Sequence, residues 1–276
     1  MDSRLQRRIQ RYGWDKAAAH YEDGWHESLA EVQDRLIALA AAQPGETALD
    51  IACGTGLVTF PIAEQVTQLG RVIATDISAA MVEQIRVRAD SYGMDHVDAF
   101  RADAESLADI ADDSVDLVTC ALGLMYFADP QAALREFWRV LKPGGRLVAA
   151  VWGARRNCGW ADIFPIVDSR VNSAVCPMFF HLGTGDMLSH AYSEAEFVEV
   201  RSERLSTNLP YATDQAALDA AFLGGPVALA YDRFSEVTQA EANAEYLNSI
   251  SSYWTAEGYR IPGEFVLAFG RKPLVQ

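Results

Sequence analysis

The chain has 276 residues, half of them hydrophobic, with 38 acidic against 23 basic side chains and a formal net charge of −15. That length suits one large domain, or one domain with a cap, and the apolar half is enough to bury a full core. The acidic balance repels phosphate backbones and argues against nucleic acid as a partner, and without an apolar run of about 18 residues no membrane span is expected.

The first residues, Met1 to Arg8, lack the apolar stretch of a secretory signal. The four cysteines (Cys53, Cys120, Cys158, Cys176) show no C-x-x-C spacing and read as free thiols in a reducing compartment. A cytoplasmic protein is therefore expected, as a monomer or homodimer. Residues 1–42 read as helical: Leu29, Val32, Leu36, Ile37, Leu39 and Ala40 follow a helical period. Gln43-Pro44-Gly45-Glu46 turns the chain into a short buried strand, Thr47 to Ile51, which runs into Cys53-Gly54-Thr55-Gly56. Gly54 and Gly56 offer a backbone without Cβ, free to take positive φ and to lie against a ligand. A helix over 57–66, apolar at positions 58, 62, 63 and 66, follows. Strand, glycine turn and helix open a nucleotide-binding βαβ unit.

Two ligand types compete for that loop. A dinucleotide fingerprint calls for a third glycine where this chain has Thr59. Asp50 would repel a pyrophosphate but hold an ammonium or sulfonium. The second strand, Arg71 to Asp76, ends in an acid about 20 residues past the loop, the place for a carboxylate that accepts from a ribose diol. Ser78 is placed to cap the next helix. Val97 to Ala104 forms the third strand and its exit, and Val115 to Leu122 the fourth. In an open parallel sheet, ligands bind past the carboxyl ends of the strands, so Cys120 to Tyr126 should line the cleft. Asp129-Pro130 opens a helix over 131–141, and Leu147 to Trp152 makes a fifth strand. Residues 153–192 lose the α/β alternation. Phe197 to Leu205 alternates like a strand wet on one face, Thr213 to Phe234 is helical in part but broken at Gly224-Gly225-Pro226, Glu241 to Ile250 is a further helix, and Pro262 to Lys272 is a last, antiparallel strand. None of the five histidines stands out as a general base, and no His/Cys/Asp cluster has metal-ligand spacing.

The run Asp50-Ile51-Ala52-Cys53-Gly54-Thr55-Gly56, continued by Leu57-Val58-Thr59-Phe60, resembles the first motif of class I S-adenosylmethionine-dependent methyltransferases, in particular the type 11, ubiquinone/menaquinone-biosynthesis kind. Three further stretches carry the same resemblance: Trp14-x-x-x-Ala18-x-x-Tyr21, Asp76-Ile77-Ser78 with Met81, and Leu141-Lys142-Pro143-Gly144-Gly145. It implies an α/β fold, a doubly wound, mostly parallel seven-stranded sheet. Residues 1–45 would be a helical lid, 46–152 the cofactor-binding core, and 153–276 a substrate cap plus the last strands. The implied cofactor is S-adenosyl-L-methionine, held by Tyr21, Asp50, Ala52, Gly54, Thr55, Gly56, Asp76, Ile77, Met81, Asp103, Ala104 and Ala121. Within that set Asp103 would accept from the adenine amino group, the Ala104 N–H would face a ring nitrogen, and Ile77 and Met81 would wall the ring. Trp25, Tyr126 and His181 are the expected substrate contacts. The implied activity is methyl transfer to an O, N, C or S nucleophile of a small molecule, mainly by positioning. Two other classes stand beside it, a nicotinamide oxidoreductase on the same plan and a non-catalytic S-adenosylmethionine-binding regulator. The aromatic residues of the cap fit a flat apolar acceptor, or a cation held on ring faces.

Overall fold

The computed structural model describes residues 3–172, 176 and 178–274. Two helices lead, α1 (Ser3–Ala17) and α2 (Tyr21–Ala40). They are followed by β1 (Thr47–Ile51), α3 (Thr59–Val66), β2 (Arg71–Asp76), α4 (Ala79–Tyr92), β3 (Val97–Arg101), β4 (Val115–Ala121), α5 (Pro130–Val140) and β5 (Leu141–Trp152). The remainder holds α6 (Ile163–Asp168), α7 (Met187–Glu194), β6 (Val198–Tyr211), α8 (Asp214–Leu218), α9 (Ala228–Tyr231), α10 (Glu236–Ile250), β7 (Trp254–Thr255) and β8 (Gly258–Arg271).

The strands form one sheet in the order β3-β2-β1-β4-β5-β8-β6, with the two-residue β7 paired to β8 off that path. The first five strands are parallel; β8 runs antiparallel to both β5 and β6. Strand order reverses at β1/β4. There the crossover helices leave toward opposite sides and a crevice opens at the carboxyl ends. Buried runs build the centre: Ala48 to Ile51 in β1, apolar except for Asp50, and Leu147 to Trp152 in β5 are buried on both faces, as a doubly covered sheet requires.

Local chemistry sets the element ends. Ser78 accepts from the Met81 N–H at the start of α4, and Asp129 accepts from the Ala132 N–H with Pro130 in the first turn of α5. Several boundaries differ from the sequence expectation. The first crossover helix begins at Thr59, because the glycine loop keeps turning through Val58. Extended backbone resumes at Leu141, with a register shift between Val115 and Leu117 on its neighbour. β6 and β8 each run 14 residues, well beyond the expected spans, because each supplies the other's hydrogen bonds from Val198 to Tyr211. The last long helix starts at Glu236, where Ser235 caps it. Between Asp219 and Leu223 the backbone widens into one π-helical turn before Gly224-Gly225-Pro226 breaks it. No helix among the described residues is long and apolar enough to cross a membrane.

Candidate active site

The glycine loop leaves β1 at the reversal point, and its conformation is held by two acids. Asp50, only 1% exposed, accepts from the Thr59 hydroxyl at 2.6 Å and from the Thr119 hydroxyl of β4 at 2.8 Å. Thr59, which takes the place of a third glycine, therefore does a defined job: it fixes the acid beneath the loop. Asp76 at the end of β2 accepts from the Gly54 N–H at 3.0 Å and from the Ser78 N–H at 2.8 Å. One carboxylate thus ties the loop to the start of α4. Burial pushes both acids up to about 6, against the hydrogen bonds that favour their ionised forms. A cation placed between them would draw them back down.

Two non-glycine residues at the strand tips sit in the left-handed region, Ala52 after β1 (φ 53°) and Leu122 after β4 (φ 60°). Such positions cost on the order of 1–2 kcal/mol each, and strain of this kind concentrates where a site must be shaped. Gly54 (φ 54°) needs its glycine for conformation, since an added Cβ would lie 3.8 Å from the Tyr21 ring, an ordinary contact. Gly56 (φ 96°) needs it for space as well: a Cβ there would stand 2.4 Å from the Phe60 ring.

A cavity of about 740 Å3, its mouth included, opens over these tips. Of the sequence-derived cofactor residues, Tyr21, Ala52, Gly54, Asp76, Ile77, Met81, Asp103, Ala104 and Ala121 line it. A smaller cavity on the far side of Gly54 is lined by Asp50 and Thr55, together with Tyr21, Ala52, Gly54 and Ala121. Gly56 lines neither and packs beneath Phe60 instead. A third, aromatic chamber lies next to the first: Trp14, Tyr21, Trp25, Leu29, Leu122, Tyr126, Trp152, Trp160, Gly225 and Pro226 surround it. Trp25 is fixed there by its Nε1–H, which donates to the Gly224 carbonyl at 3.1 Å. His181 is exposed and lines none of the three.

The leading helices cover the opening. Asp15 accepts from the Ser78 hydroxyl at 2.6 Å and the Ala80 N–H at 3.2 Å, so α1 supplies a second cap to α4. Arg7 pairs with Glu105 at 2.6 Å and Asp103 at 3.4 Å on the opposite rim. The Gln84 side chain donates to the Ala18 carbonyl, and Arg88 pairs with Glu22. Asp103 also accepts from the Glu105 N–H at 3.0 Å, so its carboxylate is preset before any base could reach it.

Several lining residues lay outside the sequence-derived set. Gln33 is buried on α2 and lines the small cavity beside Asp50 and Thr55. The signal was available: position 33 falls on the apolar stripe formed by Leu29, Leu36, Ile37 and Ala40, where a polar side chain needs a reason. The Thr55 hydroxyl is buried without a hydrogen-bond partner, as a donor waiting for a ligand would be. Trp152 and Trp160 of the chamber carry no sequence mark beyond being aromatic. Among the described residues no cluster of His, Cys, Asp and Glu could hold a metal ion.

The sheet order, the glycine loop and the acids at successive strand tips together define a class, the class I S-adenosylmethionine-dependent methyltransferase fold. Two solved structures share that fold. YcgJ of Bacillus subtilis superposes with a TM-score of 0.60 at 20% identity, covering 89% of this chain and 100% of its own. Phosphoethanolamine N-methyltransferase 2 of Haemonchus contortus, in complex with S-adenosyl-L-methionine, gives a TM-score of 0.60 at 16% identity, covering 94% of this chain and 57% of its own. Within the class, residues 26–158 match the ubiE/COQ5 methyltransferase family. A curated relative, the ubiquinone/menaquinone biosynthesis C-methyltransferase UbiE of Shewanella frigidimarina, is 40% identical over 157 residues, 56% of this chain and 61% of that protein. The chain thus spans less than two thirds of the length of the curated relatives it matches; the family match over residues 26–158 includes the whole glycine loop.

Proposed function

We propose that this chain is an enzyme that transfers a methyl group from S-adenosyl-L-methionine to a small-molecule acceptor bound in the aromatic chamber. The observation that carries the proposal is the junction of two unlike cavities at Tyr21, one with buried carboxylates and backbone N–H groups, the other walled by rings.

In this assignment Asp76 takes the ribose hydroxyls on the lone pairs left free by Gly54 and Ser78. Ile77 and Met81 pack against the adenine, and Asp103 and the Ala104 N–H meet its edge. Asp50, Thr55 and Gln33 surround the aminoacyl end, where the orphaned Thr55 hydroxyl gains a partner. The sulfonium supplies an already activated methyl, so the protein's task is alignment and exclusion of water.

No Asp, Glu, His, Lys or Arg lines the aromatic chamber among the described residues. Tyr21 and Tyr126 are pushed up by burial and stay neutral donors, unable to act as bases near neutral pH. The acceptor therefore brings its own nucleophile, either a lone pair free at neutral pH or a group acidic enough to ionise unaided. A flat, mostly apolar molecule fits the lining.

Calorimetry against S-adenosylmethionine, S-adenosylhomocysteine and NAD, followed by transfer of labelled methyl to a panel of uncharged aromatic acceptors, tests the proposal. Micromolar binding of both sulfur nucleosides with labelled product is expected. Preference for NAD would overturn it.

A further inference from the structure

Trp14, Tyr21, Leu122 and Tyr126 each line both the cofactor cavity and the aromatic chamber, so they form the wall through which any transferred group must pass. Three of the four are aromatic, and Trp14 is the hub. Its ring lies 5.8 Å from Tyr21 and 5.1 Å from Tyr126, edge to face with both at 80°. Trp14 thus bridges Tyr21 and Tyr126. Trp14 comes from α1, which is pinned on one side of it by Arg7 to Glu105 and on the other by Asp15 to Ser78 and Ala80. Those two anchors fix the indole at the junction, so the lid contributes a wall of the site as well as covering it.

The shared wall carries no formal charge: the lid cation that lines the cofactor cavity, Arg7, is committed to Glu105 and Asp103. Ring faces attract a cation and are nearly indifferent to a neutral thioether of the same shape. Building on the cofactor assignment above, we propose that Trp14, with Tyr21 and Tyr126, distinguishes the positively charged sulfonium from the neutral thioether left after transfer, holding the first and letting the second go. Trp14 is then a positioning residue supplied by the lid. Asp50 and Asp76 also favour a cation, but they lie on the sheet side and are untouched by a change at position 14.

Affinity measurements separate the two contributions. Binding of S-adenosylmethionine and of S-adenosylhomocysteine is measured by calorimetry for the wild type, Trp14→Leu, Trp14→Phe and Tyr126→Leu. Trp14→Leu is expected to weaken the sulfonium ligand about 10-fold while changing the thioether less than about 2-fold, with Trp14→Phe restoring much of the difference. Tyr126→Leu, which leaves the lid intact, should show the same asymmetry. Retained thioether binding certifies the fold of each variant. Equal loss of both ligands in Trp14→Leu would reduce Trp14 to lid packing and overturn the inference while leaving the cofactor assignment standing. Failure of the wild type to bind either ligand would overturn that assignment first, and this inference with it.

Discussion

The two cavities that meet at Tyr21 are built in opposite ways. The cofactor side is local: its acids and glycines stand at the tips of β1, β2 and β3, so Asp50, Gly54 and Asp76 announce themselves in order along the chain, and the family resemblance adds Asp103. The acceptor side is assembled from afar. Trp25 of α2, Trp152 at the end of β5, Trp160 and the Gly225-Pro226 break are brought together only by the finished fold. Trp152 and Trp160 lie 4.7 Å apart, and Trp25 sits about equally far from both, at 6.0 and 6.1 Å. One side is polar, strained and fixed by hydrogen bonds; the other is apolar and fixed by ring packing. A site made from repeat geometry keeps its ligand class, whereas one made from long-range packing is free to change its acceptor.

Substitutions can break or sharpen that contrast. The largest effect is expected for Gly54→Val. A β-branched residue is a poor fit to φ 54°, and a cost near 3 kcal/mol corresponds to about 100-fold weaker S-adenosylmethionine binding, measured by calorimetry. Asp76→Ala removes the acceptor shared by the Gly54 and Ser78 N–H groups as well as the ribose contact, and cofactor affinity should fall ~10-fold or more with the protein still folded. Unchanged affinity would remove Asp76 from the site.

The buried acids also make the cofactor side sensitive to pH. Both are raised from 3.8 to about 6 by burial. The stability they lend the ligand-free fold is therefore complete below 3.8 and lost as pH rises through about 6. Affinity for a cationic ligand moves the other way and should climb between pH 5 and 7. Thermal melts of the free protein should accordingly show a fall across this window that is a few degrees smaller in Asp50→Asn than in the wild type. On the acceptor side, Trp25→Phe deletes the hydrogen bond to Gly224 and trims the ring that packs on Trp152 and Trp160. A rise of about 3-fold in acceptor KM is expected, with cofactor affinity unchanged. The smallest effect belongs to His181→Ala: an exposed side chain outside all three cavities should leave both binding steps within 2-fold.

The same contrast explains what could be learned from the chain alone. The individual strands follow from apolar runs and turn residues, and the mostly parallel sheet with its antiparallel last strand follows from the family resemblance. Asp50 to Gly56 and Asp76 follow from the spacing of the strand–loop–helix unit, while Met81 and Asp103 follow from the family resemblance. The pairing of Asp50 with Thr119 spans 69 residues, and no local pattern encodes it. Gln33 was visible as a polar break in an apolar stripe, but its neighbours Thr55 and Asp50 arrive only when α2 folds over β1. His181 stands at the other extreme. A histidine among Phe179, Phe180 and Leu182 invites a place in a pocket, yet the turn from Phe179 to Thr184 buries Phe179 and Leu182 and carries His181 outward.

A crystal structure with S-adenosylhomocysteine bound tests the division of labour most directly. The account predicts the ribose on Asp76, the adenine edge at Asp103 and Ala104, the aminoacyl end beside Gln33 and Thr55, and the sulfur facing Tyr21 and Trp14. A ligand seated in the chamber of Trp25, Trp152 and Trp160, or anywhere away from Gly54, would contradict it.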